Sequence, residues 1–552
     1  MPNVGRPSKG CKHCRDRKVK CDLKRPACSQ CIRAGKKCYG YRDALSMMFK
    51  NESDVVAKKA EKRYEELAKS KVPKVPKTKG QQTLNSDSPD WLTHTKRPSN
   101  VPRSSTHLIP WSRYSTPESM TMEILPSIEE QAQGFFISNY VAQPSIVPRG
   151  QYEWITELLA QPNTEEILRG SVNAVSLAGL ANATKSLAIM HKAQVAYVNA
   201  LQVTNSALRV KETAVKDSTL ISVILLGTYE NLVSNSQRSI QAWAKHVVGA
   251  CTLLNLRGKE QFETSIGRRV FHQFYGVVLL VSLKTGTPIH HRIQDLYKAL
   301  APTSNYDIQG RIFTTKMVSV MSDSIDLNHD KLSDPVIMVN RALIIDREID
   351  EVTALMPTIW HYETVFLKNP SKHLYGDSYH VYADPWIAQM WNNLRTCRMS
   401  LYKTLLKNLA RGCEQYNPPL FSPDEIKLRK EATEAVMRDT AAAIIASVPQ
   451  ITAMIPFPDP TSPKRKDPAT LDLDRQELQY TLHTPGTFIH RAQATGMIHL
   501  IWPLFAAGQS DLSSYEIRQW CIDMLLYIAL RIGTRQAVVL AEDLKEIQRT
   551  GS

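Results

Sequence analysis

The chain has 552 residues and a formal net charge of +16, and at roughly 150 residues per folding unit its length exceeds one small core. The charge is unevenly placed: residues 1–80 hold 23 Lys and Arg against 8 Asp and Glu, while residues 81–552 hold 46 against 45. Such a balance excludes a uniformly cationic protein and points to a polyanion-binding N-terminal segment joined to a nearly neutral body.

The opening, MPNVGRPSKGCKHCRDRKVK, is polar throughout and lacks the apolar stretch of a secretory signal. The longest apolar runs, GVVLLVSL and GMIHLIWPLFAAG, fall short of the ~20 residues that span a bilayer. The expectation is a soluble intracellular protein with reduced thiols and no membrane partner. Six of the ten cysteines then crowd into one short segment: Cys11, Cys14, Cys21, Cys28, Cys31 and Cys38. Their spacing repeats the unit C-x2-C-x6-C, and two equal half-motifs suggest two equal metal sites. Two tetrahedral Zn2+ ions need eight ligand positions, which six thiolates fill only if two sulfurs bridge. Pseudo-symmetry nominates Cys11 and Cys28 as the bridges. Disulfides fit neither a reducing compartment nor the symmetry, and a mononuclear site needs no third cysteine at the same offset in both halves. Two dications and six thiolates leave a net negative charge that neighbouring Lys and Arg stabilise. With no core of its own, the segment is expected to fold only when metallated.

These cysteines, the basic run RDRKVK between the second and third, and Pro26 in the joining loop resemble the fungal zinc binuclear cluster (Zn2Cys6) DNA-binding domain. The resemblance implies a short helix after Cys14 that enters the major groove of double-stranded DNA. It also implies a Lys/Arg pair near the helix end that contacts a CGG-type triplet. Matched residue by residue, that pair falls on Arg17 and Lys18, with Arg15 and Lys20 at phosphate-contacting positions. Arg or Lys donating to guanine O6 and N7 is the commonest specific base contact, although any single basic residue also serves plain phosphate neutralisation. The preceding VGRPSKG reads as a flexible basic arm.

The next segment, NESDVVAKKAEKRYEELAKS, is rich in helix formers, but its heptad pattern fails within two turns, which favours a solvated helix over a dimerising coiled coil. From Val72 to about Pro117 the chain is polar and Pro-rich, a composition that cannot offset ordering entropy. Its KVPKVPKTKG run suits a nuclear-import signal or a solvated charge run equally. From about Ser127 onward helical patterns follow one another with almost no strand signal, predicting one large all-helical domain. FSPDEIKLRKEATEAVMRDTAAAIIASV starts with Ser422 as N-cap, Pro423 at the first helical position and Glu425 completing a capping box. DLSSYEIRQWCIDMLLYIALRI repeats the device with Ser513 and Glu516, ahead of Ile517, Trp520, Met524 and Ile528 on one face. Between these helices, LDLDRQELQYTL has the acidic and apolar interleaving of activation regions, weighed behind a simple connector. WAKHVVGACTLLNLRG places Trp243, Val247, Ala250 and Leu254 on one helical face, with Arg257 and Gly258 closing the helix. It is similar to a stretch in the helical regulatory domain of many fungal transcription factors, and GFFISNYV resembles that domain's opening helix.

No catalytic spacing occurs in residues 127–552: no G-x-S-x-G, no phosphate-cradling glycine loop, no H-E-x-x-H. His290 and His291 are adjacent and diverge on a helix, and Cys251, Cys397, Cys413 and Cys521 read as small apolar packing groups. The expected organisation is mostly α: a Zn2Cys6 DNA-binding domain over residues 1–45, a disordered basic linker over 46–125 and a helical regulatory domain over 126–552. The expected function is a nuclear, non-enzymatic, sequence-specific transcription factor acting at RNA polymerase II promoters with co-regulators. The resemblance implies control of a secondary-metabolite or nutrient pathway, and binding as a monomer or as a homodimer stays open. The competing readings are an intracellular metal sensor or store, and an enzyme in the helical domain tethered to DNA.

Overall fold

The structure, a computed structural model, describes residues 11–38 apart from 25, 26 and 37. It also describes residues 126–550 apart from 143–150, 163, 234, 236, 286, 301–307, 368, 370, 457–480 and 490. The basic arm, Pro26, the helix and linker readings of residues 51–117, and the 471–482 segment up to residue 480 lie outside the described residues.

The N-terminal module holds two one-turn helices, α1 (Lys12–Asp16) and α2 (Ser29–Arg33). The first begins just after Cys11 and contains Cys14, a correction to the expected helix following Cys14. Its first turn is fixed by the Cys11 sulfur, which accepts the Cys14 N–H at 3.5 Å. Arg17 and Lys18 therefore stand on the turn beyond its end.

From Ile128 the described residues form a helical body. Its first part comprises α3 (Ile128–Tyr140), α4 (Ile155–Leu159), α5 (Glu166–Thr184), α6 (Leu187–Ala207), α7 (Lys211–Ala214), α8 (Asp217–Leu232), α9 (Gln237–Arg257) and α10 (Ser265–Thr285). Then follow α11 (His291–Leu300), α12 (Ile308–His329) and α13 (Pro335–Ala354). After a hairpin come α14 (Pro385–Glu414), α15 (Pro423–Ala446), α16 (Val448–Ile451), α17 (Arg491–Met497), α18 (Ile501–Gln509), α19 (Tyr515–Ile532) and α20 (Arg535–Thr550). Three of these helices start with a side-chain cap followed by Pro at the first position. Asp334 accepts the Val336 N–H at 2.8 Å, Asp384 accepts the Trp386 N–H at 2.8 Å, and Ser422 accepts the Glu425 N–H at 3.2 Å. The reciprocal half of the expected capping box is replaced by an ion pair, because the Glu425 carboxylate accepts from Arg429 at 2.9 Å. At α19 the cap is Ser514, not Ser513: Ser514 accepts the Ile517 N–H at 3.3 Å. The Ser513 hydroxyl is already used, donating to the Ala507 carbonyl at 2.6 Å.

One antiparallel hairpin interrupts the helices, β1 (Glu363–Phe366) paired with β2 (Ser378–Val381), Glu363 opposite Val381. Its Val365 and Val381 join Tyr379, Leu374 and Ile445 in a cluster on which Ile517 and Trp520 of α19 also pack. Helix α5 is buried on most of its surface and packs on α3, α6, α8 and α19. The body closes on itself: the Tyr140 hydroxyl at the end of α3 donates to the Ile532 carbonyl at 2.5 Å, and the Asn182 amide donates to the Leu232 and Gly533 carbonyls at 2.8 and 3.0 Å. No helix among the described residues is long and apolar enough to cross a membrane.

Candidate metal centre

The buried residues of the N-terminal module are its own cysteines: Cys11, Cys14, Cys28 and Cys31 are sequestered, and Cys21 and Cys38 pack against them. The two halves are copies offset by 17 residues. Cys11 accepts the Cys14 N–H, and Cys28 accepts the Cys31 N–H at 3.3 Å. Arg17 N–H to His13 O repeats as Ala34 N–H to Gln30 O, each at 3.2 Å, and Val19 N–H to Cys14 O at 2.9 Å repeats as Lys36 N–H to Cys31 O at 3.0 Å. Even the left-handed turn recurs, with Lys18 at φ 53° and Gly35 at φ 58°. The halves are tied by Asp22, whose carboxylate accepts the Ser29 N–H at 3.0 Å and the Ser29 hydroxyl at 2.6 Å. The Ser29 hydroxyl, with its N–H, holds the Asp22 carboxyl below its ordinary range.

Six sulfurs fall into two groups of four able to hold a metal ion, Cys11, Cys14, Cys21 and Cys28, and Cys11, Cys28, Cys31 and Cys38. Cys11 and Cys28 belong to both groups and lie 3.7 Å apart, with Cys14 to Cys28 at 3.6 Å and Cys11 to Cys31 at 3.5 Å. A disulfide needs ~2.05 Å, whereas sulfurs placed tetrahedrally at the Zn–S distance of ~2.3 Å stand about 3.8 Å from one another. The donor set therefore fits zinc. The two sulfurs common to both groups each receive a backbone N–H at the start of a helix. Without a cation the cage opposes ionisation: burial and neighbouring thiols push Cys14 far up and Cys31 up to about 12. The charge of bound Zn2+ inverts that preference.

Arg15 lies on α1, and Arg17, Lys18 and Lys20 follow it as exposed residues on the turn and the segment leading to Cys21. The charged run thus lies in the chain between Cys14 and Cys21 of the cage. The sequence reading missed the Asp22–Ser29 tie, which no spacing rule marks.

In the helical body, Val247, Ala250 and Leu254 of α9 are buried and Trp243 is half-buried. Gly258 takes the left-handed conformation at φ 64° and ends the helix. Arg257 does more than complement the last turn: it is buried and forms an ion pair with Asp217 at the first turn of α8. His290 and His291 are exposed, and the His290 Nδ1 accepts the Arg292 N–H at 3.3 Å, a cap for α11. Burial pushes the thiols of Cys251, Cys397 and Cys521 up to about 12, 11 and 12, which suits packing groups rather than nucleophiles.

Residues 9–47 match the family model of the fungal Zn(2)-Cys(6) binuclear cluster domain, and residues 134–330 match that of the fungal specific transcription factor domain. No curated protein and no solved structure matches the chain. The first domain implies two zinc ions and DNA binding, and the second accounts for the helical body as far as α12, beyond which α13 to α20 continue the same fold. The two-lobed sulfur cage thus falls within a fungal Zn(2)-Cys(6) binuclear cluster domain, and the helical body that follows begins with a fungal specific transcription factor domain.

Proposed function

We propose that the protein is a nuclear, sequence-specific regulator of RNA polymerase II promoters, in which residues 1–45 read CGG-type triplets and residues 126–552 recruit or regulate. Residues 46–125 serve as the linker. In this reading Cys11, Cys14, Cys21, Cys28, Cys31 and Cys38 hold two Zn2+ ions, with Cys11 and Cys28 bridging. Arg17 and Lys18 donate to guanine edges while Arg15 and Lys20 bind phosphates. The observation that carries it is the pair of sulfur groups sharing Cys11 and Cys28 beside the exposed Arg17–Lys18 turn. Metal storage would need no such turn, and neither matched domain is enzymatic. The regulated genes belong, on this reading, to a specialised secondary-metabolite or nutrient pathway.

The test compares cognate CGG-containing and scrambled duplexes at several salt concentrations. Lys18→Ala should cost about 1–3 kcal/mol on the cognate duplex and little on the scrambled one. Lys20→Ala should weaken both alike and lower the log–log salt slope by ~0.9. Equal losses on both duplexes for Lys18→Ala would remove its base-reading role, and one zinc per chain in native mass spectrometry would remove the binuclear assignment.

A further inference from the structure

The metal-holding contacts of the N-terminal module come in pairs related by the 17-residue offset, but one contact does not recur. The Asp22 carboxylate, one residue past Cys21, accepts the Ser29 N–H at 3.0 Å and the Ser29 hydroxyl at 2.6 Å. Under the offset Ser29 falls on Lys12 and Asp22 on Tyr39, so the sequence repeats no carboxylate–hydroxyl pair. A contact that each half needed to hold its own ion would occur twice. This one joins the halves to each other, in addition to the two sulfurs they share.

The halves also differ in what they offer DNA. Arg15, Arg17 and Lys18 of the first half become Ile32, Ala34 and Gly35 in the second, whose side chains have no donor for a guanine edge. The second half instead exposes Arg33 and Lys36, at the positions of Asp16 and Val19. Cations placed away from a reading turn suit phosphate oxygens, and phosphate contacts set the register and orientation in which a protein meets the duplex. Such an anchor helps a reading turn only if the distance between the two is fixed.

We propose that Asp22 is a positioning residue for DNA reading: by holding Ser29 it fixes the second half, with Arg33 and Lys36 on phosphates, relative to the Arg17–Lys18 turn. The proposal rests on residues 1–45 being a base-reading module. Asp22 is an exposed anion in the most basic part of the chain, so its charge alone works against a polyanion. What the module gains from it is the pair of bonds to Ser29.

The experiment titrates the zinc-loaded full chain with a CGG-containing and a scrambled duplex, and counts zinc per chain by native mass spectrometry. Preference of the parent for the CGG duplex tests the base-reading assignment by itself; a parent without it removes that assignment and this proposal together. Asp22→Asn can keep both bonds, because its amide oxygen accepts the Ser29 N–H and its NH2 donates to the hydroxyl. It should hold the preference while binding both duplexes more tightly. Asp22→Ala should retain two zinc ions and lower the preference about tenfold, and Ser29→Ala, which keeps the N–H bond, about threefold. With Arg33 and Lys36 both changed to Ala, Asp22→Ala should lower the preference no further, since the anchor it positions is gone. An unchanged preference in Asp22→Ala, the same loss in Asp22→Asn, or an undiminished effect without the two cations would each overturn the proposal. Loss of zinc from both Asp22→Ala and Ser29→Ala would also overturn it, by making the contact a support of the cage.

Discussion

Lys18 occupies a left-handed backbone position that its counterpart in the second half gives to glycine, at Gly35. A non-glycine residue there costs about 1 kcal/mol, so the module holds a lysine at this turn against its own backbone preference. Replacing it tests side chain and backbone separately. Lys18→Gly should lose cognate DNA affinity as fully as Lys18→Ala does, yet retain zinc roughly fivefold better in competition with a chelator, the factor that about 1 kcal/mol represents. Weaker zinc retention in the glycine variant would show that the lysine side chain supports the cage itself. The six cysteines and the charge beside them were legible in the sequence because metal geometry dictates spacing. The Asp22–Ser29 tie and the Arg257–Asp217 pair were not, because side chains that meet across a fold leave no periodic trace.

One helix start was readable where a capping residue precedes proline, at Ser422–Pro423, while the same device at Asp334–Pro335 and Asp384–Pro385 was not read. The signal failed by one residue at α19, where two serines compete and Ala507 captures the first. The hairpin escaped notice for a related reason: four-residue strands are too short to show alternation, and β1 and β2 are specified by burial against Ile445 and α19. Glycines show how local and tertiary demands add. Gly533 ends α19 at φ +71°, and a Cβ there would stand 2.2 Å from the Gly179 carbonyl oxygen of α5. Gly35 has φ +58° with nothing within 4 Å. Gly533→Ala should cost roughly 2–4 kcal/mol by combining backbone strain with overpacking, while Gly35→Ala costs only the strain, about 1 kcal/mol. Denaturant midpoints followed by tryptophan fluorescence, for the first, and chelator competition, for the second, measure them. Equal costs would mean that α19 can move away from α5 freely.

Across the whole molecule, three desolvated imidazoles, the buried His380 and the half-buried His272 and His499, bind stability to pH. Burial holds His272 and His499 down to about 4 and, with the Arg395 guanidinium adding to it, His380 down to about 3. In the interior the His380 Nδ1 faces the Tyr382 hydroxyl at 3.1 Å and Arg395 at 3.4 Å, an arrangement that suits an unprotonated acceptor. Above the ordinary histidine value of ~6.5 folded and unfolded chains are both neutral there and nothing is lost. Below it the unfolded chain takes up protons that the fold refuses, so stability falls with pH down to about pH 4, on the order of 1 kcal/mol per pH unit for each histidine. Seven of the nine tryptophans lie in residues 126–552 and none in residues 1–45, so tryptophan fluorescence reports mainly the body. Its denaturant midpoint should drop between pH 6.5 and 5, and an unchanged midpoint would show that these imidazoles accept protons without unfolding.

The bond from Tyr140 to Ile532 joins residues 392 apart. At synthesis rates of ~5–20 residues per second, the first helix of the body waits roughly 20–80 s for the carbonyl that completes its surroundings. Throughout that interval the faces of α3 and α5 that α19 will cover stay open on the ribosome. A nonsense or frameshift mutation falling even in the last few dozen codons therefore leaves the earliest part of the body unsealed, and the surplus chain becomes a substrate for chaperones and proteases before it reaches a promoter.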